Sequence, residues 1–434
     1  MSLTFRGGIH LPENKNTDQC TITRPREPAY IRVPMSQHIG LACIPVVKPG
    51  EVVSKGQLIG ENNNGLSACI HAGIAGKVLR IESAINQNGR RDDYIVIEND
   101  YSGAVSPDIK PCEKKISELS SDEIIDTVRR AGIVGMGGAT FPTHAKIKSA
   151  IGKAQKLIIN CAECEPYLTA NHRLIAENAK DIIYGAKILL KACGVTTGYI
   201  AIEDNKPDAI ADLKKLLKGD SLLSVKVLKT KYPQGDERQL IYAFEHKELP
   251  AGKLPSDLGY VVFNAETCFA VYRAFSTGMP VTERVVTVDG DCIVNPGNVI
   301  VPIGTPFSDI INFCGGFSKR PDRIISGGPM MGIAQWDENA PVTKGTAGIL
   351  ALSKDMYHRE IPNCIHCGRC VGVCPMHLMP CYFAAYSKIN DYESCDAFGV
   401  KSCVECGCCT YVCPGNIPII QYIRIAKSKL TQKK

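Results

Sequence analysis

Long apolar runs are missing from this 434-residue sequence. None reaches the roughly 18 residues that a membrane-spanning helix requires. The opening MSLTFRGGIH also lacks the apolar core of a secretory signal. Neither export nor membrane insertion is signalled, and a cytoplasmic chain is expected. A dominant charge is missing as well. The 50 Lys and Arg side chains against 44 Asp and Glu leave a net charge of +6, too mild to demand a nucleic-acid partner. Tryptophan occurs once, at Trp336, and is read as a surface or partner contact. Cysteine, by contrast, is abundant. There are 21, with eight in two tight runs near the C-terminus, in a chain too large to need disulfide staples. Reduced thiols that hold metal are the better reading, and the length exceeds what one hydrophobic core supports.

The pattern along the chain changes character several times, which predicts a multidomain protein of α/β and β modules. In residues 28–82 short β-branched runs alternate with Gly, Pro and Asn turns, the signature of a small β-sandwich. From about 120 to 250 the period becomes helical and strand-like by turns. SSDEIIDTVRRAG opens on a capping pattern and stops at Gly132. KLIIN and GYIAIE read as buried strands, and NHRLIAENAKDIIYGAKILLKACG and KPDAIADLKKLLKG as helices. That alternation predicts a largely parallel sheet. Residues 283–330 return to strands with one short helix, a small mixed module. The last stretch is cysteine-rich and mainly helical.

The strongest signal is a repeated spacing. Cys364, Cys367, Cys370 and Cys374 precede Pro375, and Cys403, Cys406, Cys409 and Cys413 precede Pro414. Each run is C-x2-C-x2-C-x3-C-P, in which three thiolates curl around one cubane and the fourth reaches the neighbouring cluster. Two such runs specify two [4Fe-4S] clusters. One takes Cys364, Cys367, Cys370 and Cys413; the other takes Cys403, Cys406, Cys409 and Cys374. Zinc knuckles are the alternative, and the matched pair of runs argues against them. Cys381, Cys395 and Cys408 fall outside the repeat and are read as packing residues.

GIVGMGGATFPTHAK, from Gly132 to Lys146, offers backbone amides and one cation to a phosphate. It departs from the dinucleotide fingerprint because Thr140 occupies the last glycine position and the preceding element is helical. A flexible turn between helices would look the same. NCAECEPYLTA follows a strand and sets Glu163 and Glu165 near its end, where α/β proteins bind ligands. Cys161 and Cys164 form a C-x2-C without a second pair nearby, so a metal or dithiol role is not favoured. His10 and His144 stand beside turns and read as structural. The basic end RIAKSKLTQKK reads as a solvated charge run or a partner contact.

These segments resemble known proteins. GMGGATFPTHAK is similar to the GRGGAGFPTGxKW flavin loop of the NADH-binding flavoprotein subunit of respiratory complex I. NCAECEP, YPQGDERQL and VFNAET are similar to its NADESEP, YICGEETAL and VNNVET. Residues 28–82 resemble the barrel-sandwich of lipoyl and biotinyl carriers, with LSAC (Leu66–Cys69) where the modified lysine would stand, so covalent loading is not expected. FRGGIHLPENK, PYLTANHRL, ISGGPMMG and CVECGCCTYVCPGNIPIIQYIRIAK together resemble the C-subunit family of Rnf electron-transport complexes over nearly the whole chain. The resemblance implies four domains: a carrier-like sandwich in 1–110, a Rossmann-like FMN domain in 111–275, a β-grasp-like domain in 276–350 and a helical di-cluster ferredoxin-like domain in 351–434. A cobalamin reductase shares these parts, but its flavin domain is expected first.

Carried over, the family's roles give noncovalent FMN contacts to Gly135, Gly137, Gly138 and Lys146, with Asn160, Glu163, Tyr232, Gly235, Asp236, Asn264 and Thr267 around the flavin. Phe141, Glu165 and Glu237 are expected to face NAD(H), the two glutamates as catalytic groups. Met136, Ala162 and Phe263 depart from the family's Arg, Asp and Asn. The implied function is a peripheral subunit on the cytoplasmic side of the membrane. It would pass electrons between NADH, FMN and two clusters within an ion-translocating complex that reaches ferredoxin indirectly. A soluble cobalamin reductase and an electron-wire adaptor that does not bind NADH are the alternatives.

Overall fold

The computed structural model describes residues 3–354 and 363–432. The β-rich N-terminal pattern forms two small sheets. Strands Tyr30–Pro34, Arg91–Asn99, Gly76–Ile85 and Val52–Val53 pair antiparallel in that order, and Ile44–Pro45, Leu58–Glu61 and Ile70–His71 make the second sheet. Alternation along the strands sends Ile31, Val33, Ile59, Val78, Ile95 and Ile97 into a shared core. The LSAC segment lies between Leu58–Glu61 and Ile70–His71, and Ser67, Ala68 and Cys69 are buried. The fully buried Lys344 donates from Nζ to Cys69 O (2.6 Å) and to Gly132 O (2.7 Å). Burial pushes that ammonium down to about 8.

The expected α/β alternation is present. Ser120 caps Ser121–Arg130 with a Ser120/Glu123 capping box. Strands Leu223–Leu228, Gly198–Glu203, Lys156–Cys161 and Tyr260–Asn264 are parallel throughout. In chain order this is 3-2-1-4, a doubly wound arrangement whose direction reverses between the first and fourth strands. One face (Leu157, Ile159, Ile200, Ile202, Val261, Phe263) packs in a core with Ala170–Cys193, Pro207–Leu216 and Ala265–Ser276. The other (Ile158, Ala201, Val262) packs with Leu240 and Ile241 of Glu237–Glu245. Gly194, at φ +68°, ends the longest helix where its αL position is needed.

A mixed six-stranded sheet follows, ordered Ile22–Thr23, Gly297–Pro302, Glu283–Asp289, Gly348–Leu352, Arg323–Ser326, Ile333–Gln335, with the helix Phe307–Phe313. Its first strand comes from the N-terminal segment. Beyond it, Pro380–Lys388, Tyr392–Ala397 and Ile419–Gln432, with one-turn helices Arg369–Gly372 and Cys408–Tyr411, surround Phe383, Cys395, Val400, Ile423 and Ala426. Among the described residues no helix is long and apolar enough to cross a membrane. The first residues, 3–20, run as a strap over several units. Leu3 bridges to Leu228, Ile9 to Tyr232, and Asn298 Nδ2 donates to Thr17 O at 2.9 Å.

Candidate flavin and iron-sulfur sites

The glycine-rich segment is a closed loop. Gly135 N donates to Phe141 O (2.9 Å) and Thr143 N to Ile133 O (3.1 Å), so residues 136–140 project from a pinned base. Met136 N donates to Thr267 Oγ1 (3.1 Å), whose hydroxyl donates to Val134 O (3.2 Å). Thr267 is fully buried and supports the loop from below. Behind it, Arg284 donates to Met136 O (3.1 Å) and to Thr346 O (3.2 Å). The same guanidinium stands 2.9 Å from Glu266 in a buried ion pair. Gly137 is required by close approach, because a Cβ there would stand 2.3 Å from Asn264 Nδ2; one at Gly138 would meet nothing within 4 Å. Both glycines are exposed, as a cradle for an anion must be.

The loop faces the topological switch point. Asn160 and Asn264 end neighbouring strands in register, the place where doubly wound sheets take ligands. Asn160 accepts from Ala162 N (3.1 Å) and donates to Gly235 O (2.8 Å). Asn264 Oδ1 caps Ala265–Ser276 through Glu266 N (2.9 Å). Lys146, on the helix Thr143–Ala150, donates to Val262 O (2.9 Å) and pairs with Glu237. Asp236 accepts from Arg238 N and Gln239 N as the cap of Glu237–Glu245, and burial raises it to about 6. These contacts chain Gly137, Asn160, Gly235, Lys146, Glu237 and Asn264 together around the strand ends. Gly135, Phe141, Asp236 and Thr267 fix backbone around them. The exposed glycine amides and the nearby lysine fit an FMN phosphate.

Three expected residues engage partners away from the glycine loop. The Glu163 carboxylate accepts from Asn171 N (2.7 Å) and His172 N (3.0 Å), so it caps the helix Ala170–Cys193 against its positive end. Glu165 accepts from Met330 N (3.0 Å) and Met331 N (2.8 Å), in the ISGGPMMG turn. Burial raises its carboxyl to about 7, against the lowering effect of those amides. Tyr232 Oη donates to Cys406 O at 2.7 Å and stands 3.4 Å from Glu165. A phenol has one proton, so the shorter contact takes it, and Glu165 engages Tyr232 as donor only when protonated. Glu165 and Tyr232 thus join the α/β unit to the mixed sheet and to the second cysteine run.

Two lysines to which the sequence assigned no role hold this loop. Lys15 of the strap donates to the carbonyls of Glu163, Glu165 and Leu168 at 2.8, 2.8 and 2.5 Å, and burial lowers its pKa. The buried Lys206 donates to Ala162 O at 2.7 Å. Arg284 was also missed, although a guanidinium within the apolar strand ERVVTVD is a readable signal.

The cysteines divide. Cys374, Cys403, Cys406 and Cys409 line one cavity, with Cys408, Leu378, Phe383, Ile420 and Ile423 completing the wall. Leu378 N donates to Cys374 Sγ and Glu405 N to Cys403 Sγ, both at 3.3 Å, and such N–H···S contacts tune cluster ligands. Burial pushes the Cys403 thiol up to about 12, so metal binding would displace its proton. In the other set Cys364 and Cys367 are exposed, while Cys370 and Cys413 share the helical core. Cys395 and Cys408 are fully buried. Among the described residues no three His, Cys, Asp or Glu side chains already stand in metal-binding geometry. The thiolate chemistry and spacing of the cavity set nevertheless fit a cubane.

A doubly wound parallel sheet with a glycine loop at its switch point places the central unit among nucleotide-binding α/β folds. Comparison with known proteins narrows that class. Residues 128–273 match the Nuo51 FMN-binding domain, residues 3–102 the RnfC barrel sandwich hybrid domain, and residues 285–334 the SLBB domain. The chain is 46% identical, over 98% of its length and 97% of the other's, to the C subunit of the Na(+)-translocating ferredoxin:NAD(+) oxidoreductase complex of Acetobacterium woodii. It is 44% identical to the proton-translocating counterpart of Clostridium ljungdahlii, over 99% of this chain and 94% of that one. The C subunit of the ion-translocating oxidoreductase complex of Rhodobacter capsulatus is 42% identical over 100% of this chain and 84% of its own. The chain belongs to this family, the C subunits of Rnf complexes.

Proposed function

We propose that this chain is the NADH-facing electron-transfer subunit of an ion-translocating ferredoxin:NAD(+) oxidoreductase complex. Its partners are the other subunits of that complex, and it sits peripherally on the cytoplasmic side of the membrane. The observation that carries the reading is a junction. Tyr232, from the YPQGDE segment of the FMN-binding unit, donates to the carbonyl of Cys406, one of four cysteines around a single cavity. FMN, when bound, turns the two-electron hydride of NADH into the single electrons that [4Fe-4S] clusters accept, with the protons passing to water.

The chain's own groups divide the work. The amides of Gly137 and Gly138 bind the phosphate, Gly135 pins the base of the loop through Phe141 O, and Thr267 and Arg284 hold that loop in place. Asn160, Gly235 and Asn264 shape the floor. Lys146 keeps Glu237 oriented at the open side, where it positions the nicotinamide. Glu165 and Tyr232 act behind this cleft as positioning residues toward the metal region. Cys374, Cys403, Cys406 and Cys409 hold one cluster, and Cys364, Cys367, Cys370 and Cys413 the other.

Anaerobic titration of the reconstituted full chain with NADH tests the reading. Flavin absorbance should bleach and reduced-cluster EPR signals should follow. A flavin that stays oxidised in excess NADH refutes it and favours an electron wire without nucleotide binding.

A further inference from the structure

Backbone of residues 7–9 of the strap bridges the YPQGDE segment and the first cysteine run, with the Ile9 side chain in one apolar cluster with Tyr232 and Val373. Ile9 N donates to Tyr232 O and Tyr232 N to Ile9 O, both at 2.9 Å, while Gly8 N donates to Val373 O at 2.8 Å. One dipeptide is therefore bonded on one side to the flavin unit and on the other to the residue before Cys374. Both glycines are in the left-handed region, at φ +71° and +70°. Space is tighter than conformation here. A Cβ on Gly7 would stand 2.8 Å from Cys374 O, and one on Gly8 would stand 2.5 Å from Tyr232 O and 2.7 Å from the Phe5 ring. The strap is anchored at both ends. Lys229 N donates to Leu3 O (3.0 Å) and Lys231 Nζ to Phe5 O (3.0 Å), and further along Lys15 grips three carbonyls of the 160–168 loop.

We infer that Gly7 and Gly8 are positioning residues for electron transfer. They form a side-chain-free spacer one backbone thick, anchored by the buried Ile9 side chain packed with Tyr232 and Cys406, that sets the separation between the bound flavin and the cluster of Cys374, Cys403, Cys406 and Cys409. The inference rests on the electron-transfer reading above. An ordinary packed terminus would touch one neighbour or the other. This one bonds to both reactive loops at consecutive residues, and the Tyr232 hydroxyl closes the same ring through Cys406 O. Any side chain at position 7 or 8 must push the two loops apart, and electron transfer falls off exponentially with the separation of its stations.

The test uses the full chain loaded with FMN and clusters. In anaerobic stopped-flow with NADH, Gly8→Ala and Gly7→Ala should bleach flavin at the unaltered rate while cluster reduction from the reduced flavin slows severalfold. Direct reduction of the clusters by dithionite should be unchanged. Gly8→Asn separates approach from backbone strain: asparagine tolerates positive φ but carries the same Cβ, so it should be as slow as Gly8→Ala. Full recovery in Gly8→Asn overturns the spacer. Hydrogen exchange gives a readout independent of turnover. Gly8→Ala should raise exchange together in peptides covering 5–12, 229–236 and 371–378, and a change confined to the first overturns the inference. Should the variants not fold, the unaltered protein decides. Protection of 5–12 equal to that of the other two peptides supports the spacer, and exchange as fast as a frayed end overturns it. No bleaching in the unaltered protein defeats the electron-transfer reading itself. Bleaching with equally fast cluster reduction in all proteins defeats only the spacer.

Discussion

The two cysteine runs share one spacing, yet the two ligand sets drawn from them stand in opposite surroundings. Cys374, Cys403, Cys406 and Cys409 enclose a cavity that touches the FMN-binding unit through Tyr232, Gln239 and the strap. Cys364 and Cys367 are exposed, and only Cys370 and Cys413 of their set enter the core. Spacing predicts which thiolates share a cubane. It says nothing of which cubane faces inward. Neighbours decide that: Gln239 Nε2 donates to Pro375 O (3.3 Å), the proline that turns Cys374 toward the second run. In the proposed function the inner set would exchange electrons with the flavin, and the outer set with a partner.

The largest expected effect breaks the comparison outright if the wiring is wrong. Cys374→Ala should strip the inner cluster, so its iron content and low-temperature EPR should match Cys403→Ala and differ from Cys364→Ala. Agreement with Cys364→Ala would mean that each run closes on itself.

Next in size is thiol reactivity of the cluster-free protein. Cys364 and Cys367 are exposed, whereas burial holds Cys403 up near 12, and each unit of pKa above ambient pH removes about tenfold of thiolate. Iodoacetamide mapped by mass spectrometry should label the outer pair at least about tenfold faster than Cys403. Equal labelling would erase the distinction between inside and outside.

A smaller effect sharpens the inner side. Glu237→Gln should slow flavin reduction by NADH about tenfold, as expected for a misplaced hydride donor, while FMN retention and both clusters' iron stay as they are. Equal loss of FMN would move Glu237 from the nucleotide to the flavin.

The smallest effect is a control remote from both runs. Glu283 pairs with Arg24 (2.6 Å), Lys55 (2.8 Å) and Arg273 (3.2 Å). Burial opposes its ionisation, yet the three cations outweigh that and bring it down to about 2. A depressed carboxyl contributes stability that is present above the ordinary glutamate range and is lost as pH falls toward about 2. Glu283→Gln should therefore lose about 1 to 2 kcal/mol in urea at neutral pH, Arg24 being half exposed. The gap to the unaltered protein should narrow on acidification. A pH-independent gap would trace the loss to packing.

Local features were readable in the sequence, and distant ones were not. Ser120 with Glu123, and Gly194, act within a few residues, and each announced a helix end; the Cys-x2-Cys repeats were as legible as a spacing. The parallel sheet followed from strand and helix periods. Glu163 was legible as a site-loop acid but not as the cap of a helix that starts seven residues later. Glu165 depends on Met330, Lys15 on the 160–168 loop, and Arg284 on Met136; these partners meet only once three units have packed together. No local pattern encodes them. The lysine of FRGGIHLPENK was visible in a motif, without any hint of what it holds.

Lys344 carries a consequence for how charge travels. Carrier domains of the sandwich type work by swinging a loaded tip between distant sites. Here the corresponding tip is clamped, its Cys69 carbonyl and the Gly132 carbonyl sharing one buried ammonium, next to the glycine-rich loop. The arm has become masonry. In the proposed function electrons pass between fixed stations, so no diffusive excursion enters the internal transfer time, and solvent viscosity should govern only the arrival and departure of soluble partners.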